Sequence, residues 1–253
     1  MFDDAVEWVG ELTRNRAAFI NGELRAAGFD MLAVTLLPGS AHNAASKAAL
    51  LSPGSLVEIS TPLTMQGITV ATALPLPREL NGVAVNIGGV AAPLVRVSAL
   101  SVLVQVPWEI QCGPSYVHIA YHGSQGNTIP VDVRPASAGI FTVTHVDGAV
   151  VTSTNPARAG ELLVVWATGL GGAEQPLVSG TPAPTLPLRT RETVTATIAG
   201  LSAGVRWAGF TPGLVGLQQV LIDVPSGLKE PGTYSLDLTV YEEAGVPYAL
   251  PVR

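Results

Sequence analysis

The sequence predicts an all-β protein: two tandem β-sandwiches preceded by an N-terminal helix. Gly 27 and Pro 20 are spread along the chain rather than massed in one tract. The segments between them are rich in valine and threonine, the composition of short strands joined by tight turns. A series of sequence blocks also occurs twice in the same order. Helical spacing of apolar residues is confined to the first stretch.

That first stretch covers residues 4–28. Val6, Val9, Leu12, Phe19, Ile20 and Leu24 recur near helical spacing, with Asp3 and Asp4 at the N-terminal cap and Gly28 at the C-cap. Such a helix packs on its own protein or docks on a neighbour. Met31–Leu37 reads as a strand or an extended tether, and Pro38-Gly39-Ser40 as a turn. Residues 1–42 are thus expected to be helix and tether. The acidic start Met1-Phe2-Asp3-Asp4 lacks the order of a secretory signal. The expectation is a chain that stays inside the cell, or the tail of a longer polypeptide.

The duplication organises the rest. Ser52–Ile59 matches Arg158–Val165, and Val83–Gly89 matches Val194–Gly200. Between them lie the proline-rich stretches Leu74–Pro77 and Pro182–Pro187. Val104–Pro107 then matches Ile222–Pro225, Gly113–Tyr121 matches Gly232–Val240, and Ile129–Val131 matches Leu250–Val252. Order is kept throughout, the signature of an internal repeat. Within the copies, period-two alternation such as Val83, Val85, Ile87 or Val102, Val104, Val106 gives each strand one apolar face. Strands of this length and number suit an immunoglobulin-like sandwich. The first is expected over 43–135 and the second over 158–253. Residues 136–157 read as a linker, with Asp147-Gly148 as a hairpin turn.

Composition bounds the function. With 253 residues, 47% hydrophobic and 13% charged, the chain can bury a real core and is not disordered. A net charge of −6 with unclustered Lys and Arg argues against nucleic acid as a partner. No apolar run approaches the roughly 18 residues of a membrane helix, so membrane insertion is not expected. The single Cys112 excludes a disulfide framework and a cysteine-based zinc site.

Several blocks resemble a known family. Asn155-Pro156-Ala157 with Ala167-Thr168-Gly169-Leu170-Gly171, Ala138–Thr142, Gly209–Val220, Leu51–Ser55 and Gly88–Pro93 are similar to the Solibacter-type uncharacterised C-terminal domain family. The resemblance covers the chain from about residue 43 to its end. It departs from the family pattern at Ser101-Val102-Leu103 and is shortened between Thr142 and Asn155. It implies paired immunoglobulin-like modules of the IPT/TIG kind at the C-termini of exported bacterial proteins, hence an extracellular or cell-envelope location. No catalytic residue is carried over. The segment with Trp8, Leu12, Arg14, Arg16 and Leu24 faintly resembles the final helix of spore-coat kinase-like domains.

The chemistry-bearing residues form no recognisable motif. His118 and His122 lie in a strand, where four residues span roughly 13 Å, too far to share one ion. They are expected on a solvated or interfacial face with Tyr116. Gly123-Ser124-Gln125-Gly126 lacks the first glycine of a nucleophile elbow. Cys112 reads as an incidental turn residue, and Gly169–Gly172 as a turn without the Lys of a phosphate loop. Asp132, Asp147, Asp223 and Asp237 are not spaced as a calcium loop. Trp166 is expected in the core; Trp108 and Trp207 are read as contact residues or as buried between the sandwiches.

The expected function is therefore a non-catalytic module pair: a spacer, adhesion or partner-binding unit meeting protein or carbohydrate at the cell surface, without a cofactor. The alternatives are a hydrolase with its site in the sandwich loops, or a tail that positions an upstream kinase-like domain.

Overall fold

A computed structural model describes residues 34–228 and 230–253. The helix expected over 4–28 and the start of the Met31–Leu37 segment lie outside them. Every regular element among the described residues is a β-strand. None of their segments is a helix long and apolar enough to cross a membrane.

Two sheets face each other in the first part of the chain. One is 5-stranded, in the order Ala41–Asn43, Leu56–Ser60, Ser101–Gln105, Leu94–Ser98, Ile68–Val70. The other is 6-stranded and centres on Ser124–Val133, Gly113–Tyr121 and Val83–Ile87, with Leu50–Leu51 pairing parallel to Asp132–Val133. The alternation read from the sequence sends one face of each strand inward. Val57, Ile59, Val102 and Val104 from the first sheet meet Val83, Val85, Val117 and Ile119 from the second in one buried cluster. Burying each such side chain contributes roughly 1.5–3 kcal/mol.

The rest of the described chain forms a 9-stranded sheet around a second cluster. Its path runs Gly139–His145, Leu162–Thr168, Gln218–Asp223, Leu201–Phe210, Val194–Ile198, Gly232–Val240. The long Leu201–Phe210 strand pairs with Val194–Ile198 over its first residues and with Gln218–Asp223 from Gly204 onward. A bulge between Val205 and Trp207 follows just after the change. Bulges bend a strand and let it pass between layers. Here that bend lets the two ends of one sheet bury a common core.

The paired blocks adopt the same local bonds. Gly54 N–H donates to Val106 O and Val106 N–H to Ser55 O, at 2.9 and 2.8 Å. Gly160 N–H donates to Val224 O and Val224 N–H to Glu161 O at the same distances. Both glycines are left-handed, at φ 77 and 78, a conformation that costs a residue with a Cβ. The parallel pairing of Leu50–Leu51 has its counterpart in the bridge between Ala157 and Val252.

Three expectations need correction. Residues 136–157, read as a linker, supply the Gly139–His145 strand and put Ala138, Ile140, Val143, Val151 and Ala157 into the second cluster. The tether likewise packs: Val34 and Leu36 are buried in the first cluster, and Leu36 N–H donates to Asn127 Oδ1 at 2.6 Å. Trp166 is half-buried outside the core, its indole N–H on Thr144 Oγ1 at 3.1 Å. Period two sends its neighbours Val165 and Ala167 inward and Trp166 outward. The turns at Pro38-Gly39 and Asp147-Gly148 form as expected: Ser40 N–H donates to Leu37 O and Gly148 N–H to His145 O, each at 3.0 Å.

Candidate functional site

The outer face of the 5-stranded sheet carries the chemistry. Register sets Val70 opposite Arg96, Arg96 opposite Leu103, Leu103 opposite Glu58 and Glu58 opposite His42. Opposed residues in antiparallel strands point to the same side, so these five form one row across the sheet. Arg96 reaches past Leu103 to place Nη2 3.1 Å from Glu58 Oε1. Lys47 Nζ lies 2.7 Å and His42 Nε2 3.7 Å from Glu58 Oε2.

Lys47 is held there by Asn43. The fully buried Asn43 accepts the N–H groups of Ala45 and Ser46 on its Oδ1, and its Nδ2 donates to Ser137 O at 2.7 Å. That turn brings Lys47, at φ 61, over the sheet. The Lys47 hydrogen bond, reinforced by the Lys47 charge, the Ser101 hydroxyl and Arg96, holds the Glu58 carboxyl below its ordinary value against the opposing effect of burial. Two permanent cations share one carboxylate, leaving a local positive excess. Arg96 Nε is buried and has no hydrogen-bond partner among the described residues.

Glu58, Leu103 and Arg96, the middle of this row, floor an open groove of about 700 Å³ together with Lys47. One wall is the proline-rich stretch around Leu74 and Leu76; the other is Phe141 with Leu214 and Leu217. Leu74, Phe141 and Leu214 keep 55%, 37% and 48% of their surface exposed. An apolar groove with a few convergent charged groups is the usual form of a recognition site.

The walls stay in place because the joint between the two clusters is tied by buried polar groups. Leu56 N–H donates to Thr168 Oγ1 at 2.9 Å, and that hydroxyl donates to Gly216 O at 2.7 Å. Gln105 Oε1 accepts Gly180 N–H at 2.7 Å while its Nε2 donates to Gly54 O. Thr168 and Gln105 are 0% and 1% exposed. The side-chain polar atoms of Thr168 and Gln105 have each found a partner, the condition for burial without large cost.

The residues singled out from sequence fall elsewhere. Trp108 sits at the joint, its ring edge-on to Phe210 at 5.9 Å and its backbone N–H on Ser179 Oγ at 2.8 Å. It also borders a smaller cleft of about 450 Å³ with Glu109, Arg191 and Tyr241. Trp207 is half-buried beside Gly209, in a hollow formed by its own part of the chain. His118 is half-buried, opposite Thr128 and Asn86, while Val117 and Ile119 beside it face the core. The strand ends at Tyr121, so His122 belongs to the turn, at φ 50 with its ring 4.3 Å from that of Tyr121. The structure does not bring these four residues together.

No group of three His, Cys, Asp or Glu side chains suited to a metal occurs among the described residues. His145 pairs with Glu161 at 2.5 Å through Nδ1, and its Nε2 lies 3.3 Å from Asn155 O. Its contacts are thus a carboxylate and a carbonyl. Cys112 is exposed and free.

No family model matches the chain, and no curated protein matches it. Among solved structures, the chain is similar to the SGBP-B of a Bacteroides ovatus mixed-linkage glucan utilization locus in complex with a mixed-linkage heptasaccharide. That likeness has 13% identity and a TM-score of 0.35, over 81% of this chain and 44% of that one. It is also similar to an SGBP-B from a complex xyloglucan utilization locus in Bacteroides uniformis, with 11% identity, a TM-score of 0.27 and 87% and 49% covered. For the adhesin InvE of Yersinia pseudotuberculosis the values are 11%, 0.23, and 87% and 58%. The chain spans about half the length of the first two.

Proposed function

We infer that this chain is a pair of immunoglobulin-like sandwiches acting as a rigid, non-catalytic module of a cell-surface protein, which holds a partner-binding groove at a fixed geometry. The strand order supports the fold part of this reading. In the first sheet Leu56–Ser60 lies between Ala41–Asn43 and Ser101–Gln105, and Gly113–Tyr121 lies between Ser124–Val133 and Val83–Ile87 in the second. That is the immunoglobulin arrangement of two sheets. The twin turns at Gly54 and Gly160 support a duplication. The exported, IPT/TIG-like character rests on the sequence resemblance.

The observation that carries the functional reading is the joint. A flexible tether between modules is solvated; this one buries Thr168, Gln105 and Asn43 and satisfies each across the junction. Inter-domain motion is the default unless the interface is well packed, and here the groove draws its walls from both sides of it.

Spin labels on Gln125→Cys and Ser226→Cys, in a Cys112→Ser background, test the reading by electron–electron distance measurement. One narrow distance distribution is expected. A broad one, with the two ends moving independently, would refute the rigid module.

A further inference from the structure

The Ile68–Val70 strand is the outermost of its sheet and pairs only with Leu94–Ser98. Ala71 N–H donates to Val95 O at 2.9 Å. Because hydrogen-bonded pairs alternate along an antiparallel ladder, Thr69 also bonds inward, and the N–H and C=O groups of Ile68 and Val70 face away from the sheet. Natural edges are normally kept short and guarded by charge, proline or a bulge; this strand is short, at 3 residues, but carries none of the other guards. This one instead presents Ile68 and Val70, 65% and 54% exposed. Their side chains lie on the same face as Arg96, and the chain runs on from Val70 directly into the wall of the groove.

We propose that this edge captures an extended peptide segment of a partner protein by adding it as a further strand, with the segment's apolar side chains against Ile68 and Val70 at the rim of the groove and a carboxylate drawn to Arg96. This rests on the partner-binding part of the function inferred above. An added strand lies about 4.8 Å outside Val70, which puts it roughly 10 Å from the backbone of Arg96. Arg96 points inward to Glu58 in this structure, so the contact requires its guanidinium to turn toward the edge, from where the combined length of an arginine and an acidic side chain covers that distance. The local excess of cations beside Glu58, on a chain of net charge −6, selects an acidic segment over a basic one. Main-chain bonds to an exposed edge supply affinity and side-chain pockets supply specificity in this mode of recognition.

A phage-displayed library of random twelve-residue peptides, panned on the full chain, tests the proposal. Enriched peptides are expected to alternate apolar residues and to carry Asp or Glu. Val70→Pro removes the outward N–H and no ladder bond; it should weaken the best peptide at least tenfold, as should Arg96→Gln, whereas Val146→Thr, on an exposed apolar residue beside the Asp147-Gly148 turn, should bind as the parent does. Val70→Lys guards the edge without touching the backbone and repeats the test should the proline variant fold poorly. No enrichment, peptides indifferent to both edge variants, or an edge already occupied by a second copy of the chain in sedimentation, would each overturn it. The spin-label distance reports on the joint alone, so the two readings fail separately.

Discussion

Gly54 lies directly beneath the Trp108 ring: a Cβ built on it would overlap the benzene portion of the indole. Gly160 occupies the equivalent turn, at nearly the same φ and with the same backbone bonds, but nothing lies within 4 Å of its missing Cβ. The pair therefore separates the cost of a left-handed backbone from the cost of disturbing the joint. Gly160→Ala should destabilise by about 1–2 kcal/mol. Gly54→Ala carries the same backbone cost plus displacement of a rigid ring, and should exceed it by about 1–3 kcal/mol. Urea midpoints of the two variants check this; equal losses would show that Trp108 is not seated on Gly54.

Thr168 is the second fixed point of the joint. Thr168→Val keeps the shape but leaves the Leu56 N–H and Gly216 carbonyl without their partner. Each buried group left unpaired costs about 1–3 kcal/mol, so a total of about 2–6 kcal/mol is expected in chemical denaturation. Thr168→Ser retains the hydroxyl and should recover most of it. The spin-label distance distribution should broaden in the valine variant and stay narrow in the serine one.

What the sequence disclosed and what it hid divide along one physical line. Alternation in Val83, Val85 and Ile87, and the glycine turns, are local, and each appears in the structure where its pattern places it. The Gly139–His145 strand escaped because a register shift between Ile140 and Thr142 breaks its period, burying Ile140 and turning Phe141 out toward the groove. The row from Val70 to His42 draws on five strands spread over residues 41–105. It exists only once the ladder registers are set, so no window of sequence contains it. Trp108 was legible as an aromatic at the junction, but not as the ring that covers Gly54.

Glu58 gives the groove a pH dependence of known sign. Its carboxyl is held below the ordinary value of 4.5, so its contribution to stability is present above that value and is lost as pH falls through the depressed folded value. Glu58→Gln should lower stability at pH 7 by about 1 kcal/mol, since the pairs are partly exposed. That corresponds to a fall of about 2–4 °C in Tm for a chain of this size. The difference from the parent should shrink as pH falls from 4.5 through the depressed folded value. A gap that persists at low pH would place the effect in packing rather than charge.

His145 titrates in the opposite sense. The hydrogen bond to Glu161, with further help from the Asn155 carbonyl and the charges of Glu161 and Asp147, raises its pKa above 6.5 against the effect of burial. A group with a raised folded pKa stabilises fully below the unfolded value and loses that stabilisation as pH climbs through the folded one. The bond ties the end of the Gly139–His145 strand to the turn before Leu162. Two-dimensional NMR should show the His145 ring titrating above 6.5 in the parent and at lower pH in Glu161→Gln. The stability gap between these proteins should be widest below 6.5, the ordinary value, and narrow as pH climbs through the raised one. Part of the loss in Glu161→Gln comes from the Arg158 N–H that the same carboxylate accepts at 2.8 Å, and that part is constant through this range. A gap that does not change with pH would therefore assign the whole effect to the turn and none to the imidazolium.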